Sequence, residues 1–221
     1  MTRLNCIRSG CTDVFRAFLV KNAEYDGELE IPIIKPQGLI PNKLIVFSKA
    51  LKTKDYKQWV HFFEDDYQFE RIWNNPKKYL RLLKKFKGVI LPDFSLYRDM
   101  PLVMQLWNIY RSRAIGIWLQ QNGVNVIPNI RFGDNRTWQA CCLGIAKHGI
   151  IAVGAYGCTK RKNDREYFIS GFDYVIRTLE PKIVIIYGSD KNKFFDIYRQ
   201  QGIIIKVFEP DIQECSGKDK S

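Results

Sequence analysis

The 221-residue sequence lacks the features that would assign it to a membrane or secreted class. It has no run of about 18 or more apolar residues that could span a bilayer. A signal peptide is not indicated either, because residues 1–13 carry Arg3, Arg8 and Asp13 where an apolar stretch would be needed. We therefore expect a soluble, cytoplasmic protein that has no membrane partner.

Potential metal ligands are also few and badly spaced. The only histidines, His61 and His148, are far apart, and no CxxC pair occurs. Six cysteines with uneven spacing argue against both a disulfide scaffold and a zinc or iron–sulfur site, so we predict reduced thiols and assign no metal site. Asp93 and Asp99 remain open as paired carboxylates for acid/base work or as oxygen ligands of a metal such as magnesium. The phosphate-binding patterns GxxxxGK(S/T) and GxGxxG are absent. No motif in the sequence identifies a cofactor. The cysteines are Cys6, Cys11, Cys141, Cys142, Cys158 and Cys215.

Acidic residues are outnumbered by basic ones. There are 35 Lys and Arg against 23 Asp and Glu, which gives a formal net charge of +12. Each half of the chain, divided after Tyr110, carries +6, so the positive charge is spread through the fold rather than held in a tail. Such a charge attracts polyanions, including nucleic acid, nucleotides or an acidic protein, without choosing among them.

Short apolar runs rich in β-branched residues alternate with helical patterns. Near-continuous apolar runs are typical of parallel strands buried on both faces, and the alternation requires crossover connections. The predicted fold is α/β, with a mainly parallel sheet of about six strands in a compact or incomplete barrel-like arrangement; an open doubly wound sheet is the alternative. The runs are 43–48, 88–93, 124–129, 149–157, 182–188 and 202–208, and 28–34 is a candidate seventh strand.

The length and composition favour one domain over residues 1–216. Residues 1–42 are predicted to form an N-terminal extension packed on it, and 217–221 a disordered tail. No internal repeat is present. The oligomeric state is not indicated by any feature of the sequence.

Two helical regions matter for function. A long helix is predicted over 101–123, with Val103, Trp107, Tyr110, Ala114 and Ile117 on one apolar stripe and Gly123 at its end. The segment 53–87 is predicted to hold two helices separated at residues 74–76. The second of them carries an entirely basic outer face, a candidate surface for nucleic acid or other anions. Its residues are Lys77, Lys78, Arg81, Lys84, Lys85 and Lys87.

Residues that could perform chemistry follow the predicted strands. The carboxyl ends of parallel strands share one edge, which forms the ligand crevice in α/β folds, so we expect these residues to meet there. The catalytic candidates are Asp93, Ser95, Asp99 and Arg131; the pocket candidates are Tyr97, Arg98, Asn129, Tyr156, Cys158 and Tyr187; the anion-binding candidates at this edge are Arg136, Lys160 and Arg161.

Each of these candidates also has a structural interpretation. Asp93 or Ser95 could cap a turn, and Asp99 with Pro101 could begin the next helix. The arginines could clamp a phosphate or carboxylate, or lie on a solvated loop. Basic neighbours favour the thiolate of Cys158, but no histidine is near in sequence to act as a base.

The stretch 86–134, which contains PDFS (92–95) and VIPN (126–129), and the later runs GIIAVGAYGC and PKIVIIYG carry a resemblance. They resemble an uncharacterised domain family of bacterial genomes, prophages and conjugative elements, over about Lys43 to Asp211. The resemblance implies a mobile-element setting and a role near nucleic acid or in host takeover. It assigns no catalytic residue.

Three hypotheses follow for function. The first is a nucleic-acid-associated protein that uses the basic helix and the strand edge. The second is an enzyme that acts on a phosphorylated or carboxylated small molecule at the same edge. The third is a non-catalytic protein whose basic face captures an acidic host partner. The overall charge and the setting favour the first.

Overall fold

The computed structural model describes residues 16–158, 162–190 and 193–210, in which parallel strands alternate with helices. The strands are β1 (Tyr25–Asp26), β2 (Ile31–Pro32), β3 (Leu44–Val46), β4 (Trp59–His61), β5 (Gly88–Ile90), β6 (Val126–Ile127), β7 (Ile150–Gly154), β8 (Ile183–Tyr187) and β9 (Ile204–Phe208). The helices are a 3-10 turn (Ala17–Val20), α1 (Phe47–Ala50), α2 (Asp66–Asn74), α3 (Pro76–Leu83), α4 (Leu102–Gln121), α5 (Asn135–Cys142), α6 (Lys162–Leu179) and α7 (Asp196–Gln200).

The parallel strands form two sheets that follow each other in chain order. Strands β3 to β6 make a four-stranded sheet and β7 to β9 a three-stranded one. An isolated parallel bridge between Asn129 and Ala152 connects the end of β6 to β7, with the Ile130 N–H donating to the Ala152 carbonyl at 2.8 Å. The α/β class is confirmed. The strands are divided between two sheets, however, rather than forming the single sheet of about six strands.

Side chains from both sheets share one apolar interior. Trp59, Ile90 and Ile127 of the first sheet pack with Ile150 and Ile185 of the second. Strands β4 and β8 are not hydrogen-bonded neighbours, yet the Tyr187 ring lies 4.5 Å from the His61 ring and 5.0 Å from the Phe63 ring, centroid to centroid. The two sheets therefore face each other around a common core, and two further apolar clusters lie under the helices.

Strand β4 is the element that the sequence interpretation missed. It is only three residues long, contains His61 and lies in a segment that was predicted to be helical. The two helices in that segment are confirmed, since α2 ends at Asn74 and α3 begins at Pro76. The candidate seventh strand, 28–34, does not join the parallel sheets. Its central part, β2, pairs antiparallel with β1 and so lies outside both parallel sheets.

Helix α4 has the predicted bounds but only half of the predicted buried face. It ends one residue before Asn122, and Gly123 follows with a φ of +79°. Ala114 and Ile117 are buried as predicted, whereas Val103 is 71% and Trp107 42% exposed.

The first turns of α4 bury polar side chains instead of the predicted apolar ones. Gln105 and Asn108 are buried there, and their amides donate to the carbonyls of Met100 and Ser95. The loop before α4 needs partners for its buried carbonyls, and these amides supply them. The N-terminal part of α4 therefore holds the loop that carries the candidate site, at the expense of the apolar stripe.

No helix within the described ranges is long and apolar enough to cross a membrane.

Candidate functional site

Three polar side chains meet where β5 and β6 end. Asp93 lies three residues beyond β5, and Asn129 and Arg131 follow β6. The Asn129 amide donates to Asp93 Oδ1 at 2.6 Å, and Arg131 Nη1 donates to Asp93 Oδ2 at 3.3 Å. The predicted edge thus brings Asp93, Asn129 and Arg131 into direct contact.

The environment of Asp93 sets its charge. Its side chain is only 10% exposed, and burial raises the pKa of Asp93, an effect that the charge of Arg131 and the Asn129 hydrogen bond oppose. The Asp93 carboxylate in turn raises the pKa of Arg131. The two groups neutralise each other, so this pair contributes little net charge to the space beside it.

That space is a cavity of about 590 Å³, here called the edge cavity. Its volume is within the usual range for small-molecule pockets. It lies between the loops that follow β5, β6 and β7 and the first turns of α6, and its apolar base is formed by Ile130 and Val153. Aromatic side chains form much of its wall: Tyr97, Phe132, Tyr156, Tyr167 and Phe168.

Six of the predicted site residues line the edge cavity. One of them, Cys158, differs from the sequence interpretation, because burial raises the pKa of its thiol and outweighs the opposing charge of Arg131. The protonated thiol is therefore the favoured form at neutral pH, which disfavours a nucleophilic role. The six residues are Tyr97, Arg98, Asp99, Arg131, Tyr156 and Cys158.

Other predicted site residues lie elsewhere. The hydroxyl and backbone N–H of Ser95 both donate to the Asp66 carboxylate, so Ser95 fastens its loop to the start of α2. Tyr187 lines a separate cavity of about 220 Å³ and stacks on Phe63. The predicted anion-binding residues Lys160 and Arg161 lie outside the described residues.

The arginines at this edge are already paired with carboxylates. Arg98 Nη2 donates to Asp164 at 2.6 Å, and its guanidinium lies 4.1 Å from the Tyr167 ring centroid. Arg136 Nε and Nη2 donate to the Asp134 carboxylate, and Nη2 also donates to the Arg98 carbonyl at 2.8 Å. Arg136 therefore holds the loop that contains Arg98, a structural task that the sequence did not reveal.

Two contributions to the site were missed. The first comes from α6, where Asp164, Tyr167 and Phe168 line the edge cavity. Their spacing of three and four residues places them on one helix face, and this was the available signal. The second comes from β4, whose apolar run is followed by Glu64 and Asp65 at the smaller cavity, in the same pattern that identified the other strands.

His61, the last residue of β4, is a buried and strongly perturbed group. It is 3% exposed, and burial together with the nearby charge of Lys49 lowers the pKa of His61 to about 3. The Phe63 backbone N–H donates to Nδ1 at 3.2 Å, so the neutral ring carries its proton on Nε2. Among the described residues, no group of three or more His, Cys, Asp or Glu side chains is placed to hold a metal ion.

The basic helix presents a very different surface. All six of its predicted cations are exposed, and none forms an ion pair with an acid in the described parts of the chain. This set is called the α3 cationic surface below. It consists of Lys77, Lys78, Arg81, Lys84, Lys85 and Lys87.

The α3 cationic surface lies towards the opposite end of the strands from the edge cavity. The Lys77 ammonium lies 4.6 Å from the Phe18 ring centroid, and Phe18 packs on Trp118 in the last turns of α4. Those turns lead to the amino end of β6. Lys87 likewise directly precedes the amino end of β5. One small ligand in the edge cavity therefore does not reach the α3 cationic surface.

Comparison with known proteins assigns the chain to a family. Residues 23–209 match the family described as Domain of unknown function (DUF4417). The chain belongs to the DUF4417 family. The Gene 1 protein of Mycobacterium phage L5 is 34% identical to this DUF4417 chain over 169 residues, which cover 75% of the chain and 73% of that protein.

A second phage protein supports the same assignment. The Gene 1 protein of Mycobacterium phage D29 is 31% identical over 163 residues, which cover 72% of this DUF4417 chain and 60% of that protein. The prediction of an uncharacterised phage-type domain is confirmed. No solved structure matches the chain.

Proposed function

We propose that this DUF4417 protein associates with nucleic acid through the α3 cationic surface and that its ligand or active site is the edge cavity. The observation that carries the first part is the set of six exposed cations on α3 and the following turn, which have no acidic partner among the described residues. The proposal includes the cytoplasmic location predicted from the sequence, because nucleic acid is accessible to a protein there.

Unpaired cations favour a polyanion for a physical reason. Binding to phosphates releases condensed counterions, and each phosphate contact contributes about 0.9 to the slope of log affinity against log salt. Cations that are paired within the protein contribute less, because an internal carboxylate already neutralises them. The α3 cationic surface meets this requirement, whereas the arginines of the edge cavity do not.

The fold supports the second part of the proposal. Seven parallel strands in chain order and a shared apolar interior fit the incomplete barrel-like arrangement predicted from the sequence. In such folds ligands bind where the strands end, and the edge cavity lies there. The sugar–phosphate backbone of a bound nucleic acid would then contact one face of the protein, and the group inside the edge cavity would contact another.

The test is the binding of labelled single- and double-stranded DNA and RNA across a salt series. A variant with Lys77→Glu, Lys78→Glu, Lys84→Glu and Lys85→Glu is compared with the natural chain. We expect at least a 100-fold loss of affinity at low salt, and a salt slope that is flatter by about 3 to 4.

A control variant distinguishes the effect on binding of where the charges lie from the effect of how many there are. Lys21→Glu, Lys35→Glu, Lys52→Glu and Lys54→Glu reverse four other exposed lysines. Each reversal lowers the net charge by 2, so both variants carry +4. Equal losses in the two variants would contradict a specific surface. Equal competition by polyglutamate would favour an acidic protein partner instead.

A second candidate function is an enzyme that acts on a small molecule. The buried Asp93 carboxyl, whose pKa is raised beside a cavity of about 590 Å³, favours it, because a raised pKa suits a general acid or base. Turnover of a phosphorylated or carboxylated compound that is lost in Asp93→Asn, in a chain that does not bind nucleic acid, would support this candidate.

A further inference from the structure

We propose that the edge cavity accepts one unpaired nucleobase and leaves the attached phosphate outside. This inference rests on the proposed association with nucleic acid and names the chemical group that enters the cavity. Three features of the cavity support it: its charge balance, its aromatic wall and the donor groups of Arg131 in its lining.

The charge balance disfavours a phosphate inside the cavity. Among the described residues, the lining includes two arginines, Arg98 and Arg131, and two aspartates, Asp99 and Asp164. Arg98 is paired with Asp164, and Arg131 is paired with Asp93 just beneath. Within this described lining, a phosphate would meet no excess of positive charge and would lie near the carboxylates of Asp99 and Asp164. A neutral ring pays no such electrostatic cost.

The aromatic wall suits a flat ring. Tyr97 is 58% and Tyr167 46% exposed, so both offer ring surface to a ligand. The Arg98 guanidinium covers one face of Tyr167 and holds that ring in place. Stacking on aromatic side chains is the general way in which proteins bind unpaired bases, and it tolerates any base because every base has a π-face.

The Arg131 guanidinium adds a hydrogen-bond donor to the lining of the cavity. Its side chain is 26% exposed; Nη1 donates to Asp93, and the buried Nε has no hydrogen-bond partner among the described residues. A guanidinium carries five N–H groups, so donors remain for a ligand. A base edge carries acceptors, and enzymes that take up an unpaired base read that edge through hydrogen bonds.

The experiment uses the full chain and uncharged probes. Binding of the four ribonucleosides and four deoxyribonucleosides is measured by calorimetry and ligand-observed NMR, with inorganic phosphate as competitor. We expect nucleoside affinity that is insensitive to salt and to inorganic phosphate. Tyr97→Ala should weaken it on the order of 10- to 100-fold, in line with the loss of one stacking contact.

The control and the contrary results are defined in advance. Tyr67→Ala removes a tyrosine that is 75% exposed and is not part of the cavity, and it should leave nucleoside affinity unchanged. Competition by inorganic phosphate would overturn the inference, and so would equal effects of the two tyrosine variants. Oligonucleotide binding without nucleoside binding would also overturn it while the proposed association stands. Nucleoside binding without oligonucleotide binding would instead overturn the association and keep the base site.

Discussion

The edge cavity and the α3 cationic surface use the same residue types in opposite ways. At the cavity, Arg98, Arg131 and Arg136 each donate to an aspartate of the protein itself. On α3 and the turn after it, six cations face solvent with no acidic partner among the described residues. Both groups looked equivalent in the sequence, as basic residues near apolar runs.

Paired arginines and unpaired surface cations suit two different kinds of ligand recognition. A paired arginine is fixed in orientation and can present donors with geometric precision, but it has little long-range field because its charge is balanced. An unpaired lysine has little orientation, but it attracts anions over distances near the Debye length of about 10 Å. The cavity is therefore suited to selecting a ligand, and the α3 cationic surface to attracting one.

The largest expected effect on stability comes from breaking the ion pair between Asp93 and Arg131 beside the edge cavity. Arg131→Leu leaves the Asp93 carboxyl buried without a cation, and we expect a loss of about 3 kcal/mol in the free energy of unfolding, measured with urea. Arg136→Leu breaks a more exposed pair, with Arg136 at 44% exposure, and should cost less than about 1 kcal/mol.

A double variant tests the reason for that loss. If the cost arises from an uncompensated buried charge, Arg131→Leu combined with Asp93→Asn should be more stable than Arg131→Leu alone. A double variant that is less stable than the single one would show that Arg131 acts through packing, and the contrast between the two regions would lose its electrostatic basis.

The next largest effect concerns the pH dependence of stability that His61 causes. Burial lowers the pKa of His61 to about 3, below its ordinary value of 6.5, so the unfolded state binds more protons between these values. The contribution of His61 to stability is complete above pH 6.5 and is lost as the pH falls towards 3. We expect a loss of about 2 kcal/mol between pH 6.5 and 5, measured by urea unfolding.

Variants isolate this effect from other titrations. Asp93, whose pKa is raised by burial, acts in the opposite direction, so slopes are compared between variants. His61→Asn keeps an acceptor near Nδ1 for the Phe63 N–H and should flatten the pH dependence. Identical slopes in the natural chain and His61→Asn would refute the explanation.

The smallest expected effect on stability comes from removing cations of the α3 cationic surface. Arg81→Gln, Lys84→Gln and Lys87→Gln remove three cations that have no ion-pair partner among the described residues, so the free energy of unfolding should change by less than about 0.5 kcal/mol. The same variant should bind nucleic acid more weakly. A clear loss of stability would mean that the α3 cations support the fold and are not free for a ligand.

Much of the fold could be predicted from local patterns. The α/β class, the break between α2 and α3 and the end of α4 before Gly123 all follow from apolar runs, Pro76 and glycine, which act on the nearest residues. Strand β4 was missed, because His61 interrupts the apolar run 59–63 in which it lies and the run falls in a segment assigned to helices. Its burial depends on Tyr187, more than 100 residues further along the chain.

The candidate site was predicted in outline and not in detail. The rule that parallel strands end at one edge correctly placed Asp93, Asn129 and Arg131 together. It could not show that Ser95 is engaged by Asp66, or that Arg136 holds the Arg98 loop. Those partners come from other elements, and pairing between side chains leaves no periodic signal in the sequence.

The sequence by itself determined the number of charges and most of the alternation of strands and helices, because these depend on composition and local periodicity. Only the tertiary structure decided which cations remain unpaired. An arginine beside a strand end meets the carboxylates that other loops bring to the same edge, as Arg98 meets Asp164. A lysine on the outer face of α3 meets no carboxylate among the described residues, because no described loop brings one to that face.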